Sequence, residues 1–385
     1  MDFSTKVLTE NLGLSLDKRA GLCYTNLKLV WRIGLLPESN ELSERNKIMK
    51  TSPQKEKYLA QPIVPFVGTP EDPTHFIGVF AESGVHVRTQ HIDSKKGGEP
   101  IEICMIADVH FNYCDEVDEG NEELMGTKQC RKWLANASSV PAIEKAMEVA
   151  GFFDQTIVAG DTLDYLSHGA MELTKKHIWG VDPEALICLG GHDVTRQMQT
   201  GKPDQTSLES RRAILEKEWA HDIYYVSRVL GDKVMVVVLD NGAMGYQECQ
   251  AEKLAADLER ARRENLIILV FQHEQISTRK EEDCTLKAVK VYDGDNRDFC
   301  RKALGGCEYR VQNEVTDRVY HMIVDNADIV RGVFCGHMHS AYYCEIAGTY
   351  LDEQGVRQEK AIPQVVLEAN PYDGNAGHIL LITVD

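Results

Sequence analysis

Five short clusters follow one another along the chain: Asp108-Val109-His110, Gly160-Asp161-Thr162-Leu163-Asp164, Gly190-Gly191-His192-Asp193, His273, and Gly336-His337-Met338-His339. Carboxylates and imidazoles together are the mixture that divalent transition metals take as ligands. In an extended loop, residues two apart project to the same side, so Asp108 with His110, and His337 with His339, form two-pronged grips. The two oxygens of Asp161 can bridge a pair of ions about 3.5–4 Å apart, the spacing of a two-metal hydrolytic site. Asp164, one helical turn further on, is poorly placed for the same ion but suited to fix the tautomer of a neighbouring imidazole. Taken singly, each histidine is better read as a structural one; taken as an ordered set, they point to metal-dependent hydrolysis.

The elements that must carry these clusters are legible as short apolar strands at 101–107, 156–159, 185–189, 234–239, 266–271 and 330–335. They alternate with helical spacing at 142–150, 207–226 and 251–263, the second predicted to start on a capping box of Thr206 and Glu209. Strands alternating with helices predict an α/β layer architecture, and each cluster falls just past a strand's carboxyl end, where such sheets collect ligands. The stretches 341–350, 364–368 and 379–384 follow one another without helices, which predicts a second sheet with antiparallel pairing. Ahead of these, 76–80 and 85–89 flank Glu82-Ser83-Gly84 as a hairpin, and 94–100 forms a linker. The predicted organisation is an N-terminal extension over 1–98, with one buried-looking stretch at 22–36, and a main domain over 99–385.

A formal net charge of -18 argues against a surface made for nucleic acid or an anionic membrane. The first residues lack the apolar core of a secretory signal, and no apolar run reaches transmembrane length. Eleven cysteines without a Cys-x-x-Cys pair fit reduced thiols rather than disulfides or a thiolate zinc site. A cytoplasmic location is the expectation. The sequon at Asn136, without a leader, is read as chance. The acidic run Asp115 to Glu119 with Glu122 and Glu123 lacks ordered ligand spacing and is read as a solvated loop. Trp133 and Leu134 are read as core, and Arg279, Arg297 and Arg301, in a charged segment that caps the cleft, as candidate phosphate contacts.

In order and wording, the five clusters resemble the calcineurin-like metallophosphoesterase superfamily, over about residues 101–385. The resemblance implies a four-layer sandwich of two mixed β-sheets flanked by helices. It implies a first metal on Asp108, His110, Asp161 and His339, and a second on Asp161, His273 and His337. Water bridging the two ions, manganese, iron or zinc, is then the nucleophile on a phosphomonoester or phosphodiester. His192, oriented by Asp164, takes the role of the catalytic histidine, and Asp193 stabilises the loop. One position departs from the family pattern: Gly191 stands where an asparagine completes the second metal's shell. Water in its place and a weaker second site are the expectation. His168, His177, His221, His321 and His378 match no motif of the family.

Two other readings remain beside the hydrolase. A nuclease is a narrower variant of the same chemistry, disfavoured by the acidic balance. A non-catalytic binding or scaffold protein on the same fold draws support from Gly191, and the eight metal and acid–base side chains count against it.

Overall fold

The structure, a computed structural model, describes residues 63–64, 76–80, 84–132, 139–242, 245–276, 286–291, 313–339, 341–370 and 377–385. The stretch 22–36, the turn residues Glu82 and Ser83, Trp133, Leu134, the sequon at Asn136 and Arg279, Arg297 and Arg301 lie outside the described residues.

Strands buried on both faces read as unbroken apolar runs, because helices cover one face of the sheet and a second sheet covers the other. Strand Val234–Leu239 is such a run. Val234, Val236 and Val238 pack between the two sheets, while Met235, Val237 and Leu239 pack under helices. Strand Ile101–Ile106 divides in the same way, with Ile103 and Met105 inward and Cys104 and Ile106 outward. Between the sheets, Phe271 and Phe334 stack with ring centroids 5.0 Å apart.

In chain order the strands are β1 Ile63–Val64, β2 Phe76–Phe80, β3 His86–Ile92, β4 Ile101–Ile106, β5 Gln155–Ala159, β6 Leu186–Cys188 and β7 Tyr225–Leu230. They continue as β8 Val234–Leu239, β9 Ile267–Gln272, β10 Leu286–Val291, β11 Val330–Cys335, β12 Tyr342–Leu351, β13 Arg357–Val366 and β14 His378–Val384. One seven-stranded sheet runs β1-β2-β3-β14-β4-β5-β6 and the other β10-β12-β13-β11-β9-β8-β7. Both mix parallel and antiparallel neighbours. Among the described residues, helices α1 Glu122–Cys130, α2 Val140–Ala150, α3 His168–Thr174, α4 Leu208–Glu218, α5 Glu248–Glu264 and α6 Glu314–Val324, with a π-helical turn at Lys175–Trp179 and a 3-10 turn at His192–Val194, complete the order. The α/β sandwich of two mixed sheets flanked by helices is the expected fold class. The 76–80 and 85–89 segments do pair as an antiparallel hairpin.

Three expectations are corrected. The helix drawn over 207–226 ends at Glu218, and Tyr225–Leu230 is an edge strand antiparallel to β8; its apolar residues happen to continue the helical spacing. That helix is capped by Ser207, which accepts from the Ser210 N–H at 3.1 Å, and not by Thr206. The last strands do not share a sheet: β12 and β13 pair antiparallel in the second, but β14 enters the first, parallel to β3 and antiparallel to β4. Leu380, Ile382 and Val384 then face the second sheet while Ile379 faces helices, so both faces of β14 are apolar and its pattern fits either sheet.

Candidate metal centre

Each cluster sits where its strand stops. Asp108 and His110 follow β4, Asp161 follows β5, His192 follows β6, His273 follows β9, and His337 and His339 follow β11. β4, β5 and β6 are parallel neighbours in one sheet, and β9 and β11 in the other, so both sheets deliver their carboxyl ends to the same rim. The loops are stitched together, His337 to Asp108 across the two sheets and Gly336 to His273 within the second. The His337 N–H donates to both Asp108 oxygens at 2.9 and 3.1 Å, and the Gly336 N–H donates to the His273 carbonyl at 3.0 Å.

The backbone is bent sharply at these residues. Asp108, His110, Asp161, His337 and His339 all have positive φ, between 47° and 75°. Left-handed backbone is uncommon for non-glycine residues and concentrates at functional sites, where the surrounding structure holds it. Close approach also requires two glycines. At Gly160, with φ 79°, a Cβ would lie 2.5 Å from His273 Nδ1, and at Gly190 it would run into the Asp161 carboxylate.

The result is two groups of ligand atoms that share one residue. Asp108, His110, Asp161 and His339 form the first and Asp161, His273 and His337 the second, with the atoms of each within 4.8 Å of one another. His110 Nε2 and His339 Nε2 are 3.0 Å apart, and His337 Nδ1 and His273 Nε2 are 3.3 Å apart. Asp161 Oδ2 lies 3.1 Å from His273 Nε2 and 3.7 Å from His110 Nε2. His273 Nδ1 is 2.9 Å from the Ala159 carbonyl, which can only accept; Nδ1 therefore carries the proton and Nε2 turns its lone pair to the site. Asp108, His110, Asp161 and His273 are buried while His337 is half-buried and His339 exposed, so the centre opens to solvent on one side, and its carboxylates and imidazoles fit a divalent cation at each group.

Electrostatics follow from that burial. Loss of solvent alone would raise the carboxyls of Asp108 and Asp161, but the facing imidazoles outweigh it and hold both below the usual range. Burial would lower His273, yet Asp161 beside it pushes it up to about 9. His192 is raised above its ordinary value: burial works against this, and Asp161 and Asp164 overcome it. Asp193, buried next to Asp161, is pushed up to about 7. Its oxygens accept from the Leu163 and Gly190 N–H groups, each at 2.7 Å, so it ties the loops together as expected.

Asp164 Oδ1 lies 3.3 Å from His110 Nδ1 and 3.4 Å from His192 Nδ1, so the expected imidazole partner is two imidazoles. His192 Nδ1 is closer still to the Asp164 main-chain carbonyl, at 2.8 Å. Sequence reasoning missed Arg131 and Asn112, which grip the Asp164 carboxylate from α1 and from the loop after β4. Asn112 lies two residues past His110, a signal that the alternating-side argument could have extended. At Gly191 a Cβ would meet only the Gly242 carbonyl oxygen, at 3.2 Å.

The remaining histidines lie elsewhere. His168 pairs with Asp115 at 2.6 Å, and His221 accepts from the Ile187 N–H at 2.9 Å. The acidic run is not a solvated loop throughout. Asp118 is buried and accepts from the His168 and Gly169 N–H groups at 2.9 Å each, and Glu122 and Glu123 open α1, where negative charge suits the helix N-terminus.

No protein-family model and no curated protein sequence matches the chain. Solved structures do. A dimetal phosphatase from Danio rerio is 13% identical, with 71% of this chain and 90% of that one covered at a TM-score of 0.38. A purple acid phosphatase from yellow lupin (Lupinus luteus) seeds is 12% identical, with 76% of this chain and 46% of that one covered at 0.39. A putative 5′-nucleotidase from Staphylococcus aureus is 12% identical, with 71% and 55% covered at 0.31.

Proposed function

We propose that the chain is a metal-dependent phosphoesterase that hydrolyses a phosphomonoester or phosphodiester at a centre of two divalent ions, manganese, iron or zinc. The observation that carries this reading is the sharing of Asp161 by two ligand groups. One cluster of histidines and a carboxylate suits many enzymes; two clusters joined at a single carboxylate suit a two-metal hydrolase. In this reading Asp108, His110, Asp161 and His339 hold one ion, and Asp161, His273 and His337 the other. When bound, the ions activate water for attack and neutralise charge on the phosphoryl oxygens.

The chain's own residues supply the rest. The Ala159 carbonyl keeps His273 in the ligating tautomer. His192, its Nδ1 proton held by the Asp164 carbonyl, has its Nε2 3.9 Å from Asp161 Oδ2, at the edge of the centre. From that position a protonated His192 ring would donate to a departing oxygen. Gly191 supplies no side chain, so Asp161, His273 and His337 would hold the second ion, which would bind more weakly for lack of a further protein ligand.

The partner is a phosphate ester, and the net charge of -18 disfavours nucleic acid. No helix among the described residues is long and apolar enough to cross a membrane. Free thiols at Cys104, Cys114, Cys130, Cys188, Cys249 and Cys335 suit the cytoplasm. The deciding experiment offers nitrophenyl phosphate and its bis-ester with added manganese. The expected result is turnover of at least one, lost with a chelator and in Asp161→Asn. No turnover of either ester with manganese, iron or zinc, while the metals still bind, would favour the binding-protein alternative.

A further inference from the structure

We infer that Arg131, assisted by Asn112, is a positioning residue that sets His110 and His192 together by gripping the one carboxylate both imidazoles face. The inference rests on the metal centre proposed above. Arg131 follows the last residue of α1 and is 5% exposed. Its Nε donates to Asp164 Oδ2 at 2.8 Å and its Nη2 to Oδ1. Asn112 Nδ2 adds a bond to Oδ2 at 2.6 Å and reaches the Arg131 carbonyl at 3.4 Å, while its Oδ1 accepts from the Tyr165 hydroxyl at 3.4 Å.

A carboxylate held by a single donor can rotate about its Cβ–Cγ bond. Two parallel N–H bonds from one planar guanidinium fix its plane. With Oδ2 engaged by Arg131 and Asn112, the fixed plane aims Oδ1 between His110 Nδ1 at 3.3 Å and His192 Nδ1 at 3.4 Å. The outer partner of a ligating imidazole sets its ring orientation, and loss of such partners costs about 10–100-fold in metal affinity. Here that partner also faces the imidazole proposed to protonate the leaving group.

The helix that delivers Arg131 is braced against the segment following His192. Thr127 Oγ1 donates to the Arg196 carbonyl at 2.5 Å and accepts from the Met198 N–H at 3.1 Å, and Glu123 Oε1 accepts from the Gln205 N–H at 2.5 Å. Arg131 is thus presented from a tethered helix. A role confined to neutralising a buried aspartate would affect folding stability alone. A positioning role couples metal affinity to leaving-group protonation.

The test titrates manganese calorimetrically into wild type, Arg131→Met, Arg131→Lys and Asn112→Ala. Alongside, kcat is compared on nitrophenyl phosphate and on phenyl phosphate, whose leaving group depends more on protonation. Arg131→Met is expected to bind the first ion about tenfold more weakly and to lose about tenfold more kcat on phenyl phosphate than on nitrophenyl phosphate. Asn112→Ala should move in the same direction by less. Arg131→Lys, which keeps the charge but not the fork, should recover part of both losses. Wild-type metal affinity and an unchanged leaving-group ratio in Arg131→Met overturn the proposal. If Arg131→Met does not fold, the same two results in Arg131→Lys overturn it. A wild type that binds manganese but hydrolyses neither ester defeats the hydrolase reading, and the calorimetric comparison then decides the positioning role alone. A wild type that binds no manganese overturns both.

Discussion

The Nε2 atoms of His110 and His339 face each other at 3.0 Å although 229 positions separate the two residues. Two imidazole nitrogens so close must either share a proton or turn their lone pairs on a common cation. Asp108 Oδ1, 3.3 Å from His339 Nε2 and 3.8 Å from His110 Nε2, adds a negative ligand to the same point. Calorimetric titration with manganese should therefore find two ions. Asp161→Asn should weaken both, His339→Ala the first and His337→Ala the second. One ion retained at wild-type affinity in Asp161→Asn would contradict the shared bridge.

Metal removal should destabilise the fold, because the ions bind the assembled loops and not the unfolded chain. At a hundredfold excess over Kd, the linkage is worth about 2.7 kcal/mol per site. A chelator should lower Tm accordingly in a thermal scan, and an unchanged Tm would argue against metal at these loops.

His192 stands outside the two groups that share Asp161. His192→Ala is expected to reduce kcat by about 10²–10⁴-fold while the metal stoichiometry in titration stays at the wild-type value. Loss of metal together with kcat would make His192 a ligand instead.

Gly191→Asn should tighten the second metal by restoring a side-chain oxygen. The helical backbone at Gly191, φ -62°, accepts a side chain, and a new Cβ would sit 3.2 Å from the Gly242 carbonyl, so that carbonyl must give by a few tenths of an ångström. Unchanged affinity at both sites in calorimetry would show that the asparagine oxygen cannot reach the ion from here.

The pH dependence has opposite signs with and without metal. In the metal-free chain, Asp161 outweighs burial and lifts His273 from 6.5 to about 9. Its stabilisation is present in full below pH 6.5 and is lost as pH rises through about 9. Asp108 and Asp161, held below 3.8, contribute above that value and lose their contribution as pH falls. Metal, however, requires the unprotonated His273 Nε2, so its binding releases a proton and strengthens as pH rises through the same interval. Thermal scans from pH 6 to 9 should show Tm falling in chelator relative to manganese, and binding enthalpies should depend on the buffer. A buffer-independent enthalpy at pH 7 would contradict the raised His273.

Much of this was legible because each signal was local. β4, β5, β9 and β11 are short apolar runs that end on a candidate ligand cluster, and a run and the residue after it can be read without knowing the partner strand. β7 was hidden because Tyr225, Val226 and Val229 prolong the spacing of α4, and the two patterns cannot be separated where a turn joins them. Arg131 carried no signal for a similar reason: 33 positions separate it from Asp164, and nothing in its neighbourhood announces a carboxylate, whereas Asn112, 52 positions away, was marked only by its place two residues past His110.

Residue order alone determined which carboxylates and imidazoles arrive at strand ends, since hydrophobic period and side-chain chemistry are properties of a few neighbouring residues. Three-dimensional packing was needed to send β14 into the first sheet and to bend five of the candidate ligand residues into left-handed backbone. The same holds for the aspartate that serves two imidazoles at once. Sheet choice, strained backbone and shared charge contacts depend on which distant segments pack together, and that depends on the burial available to the whole chain.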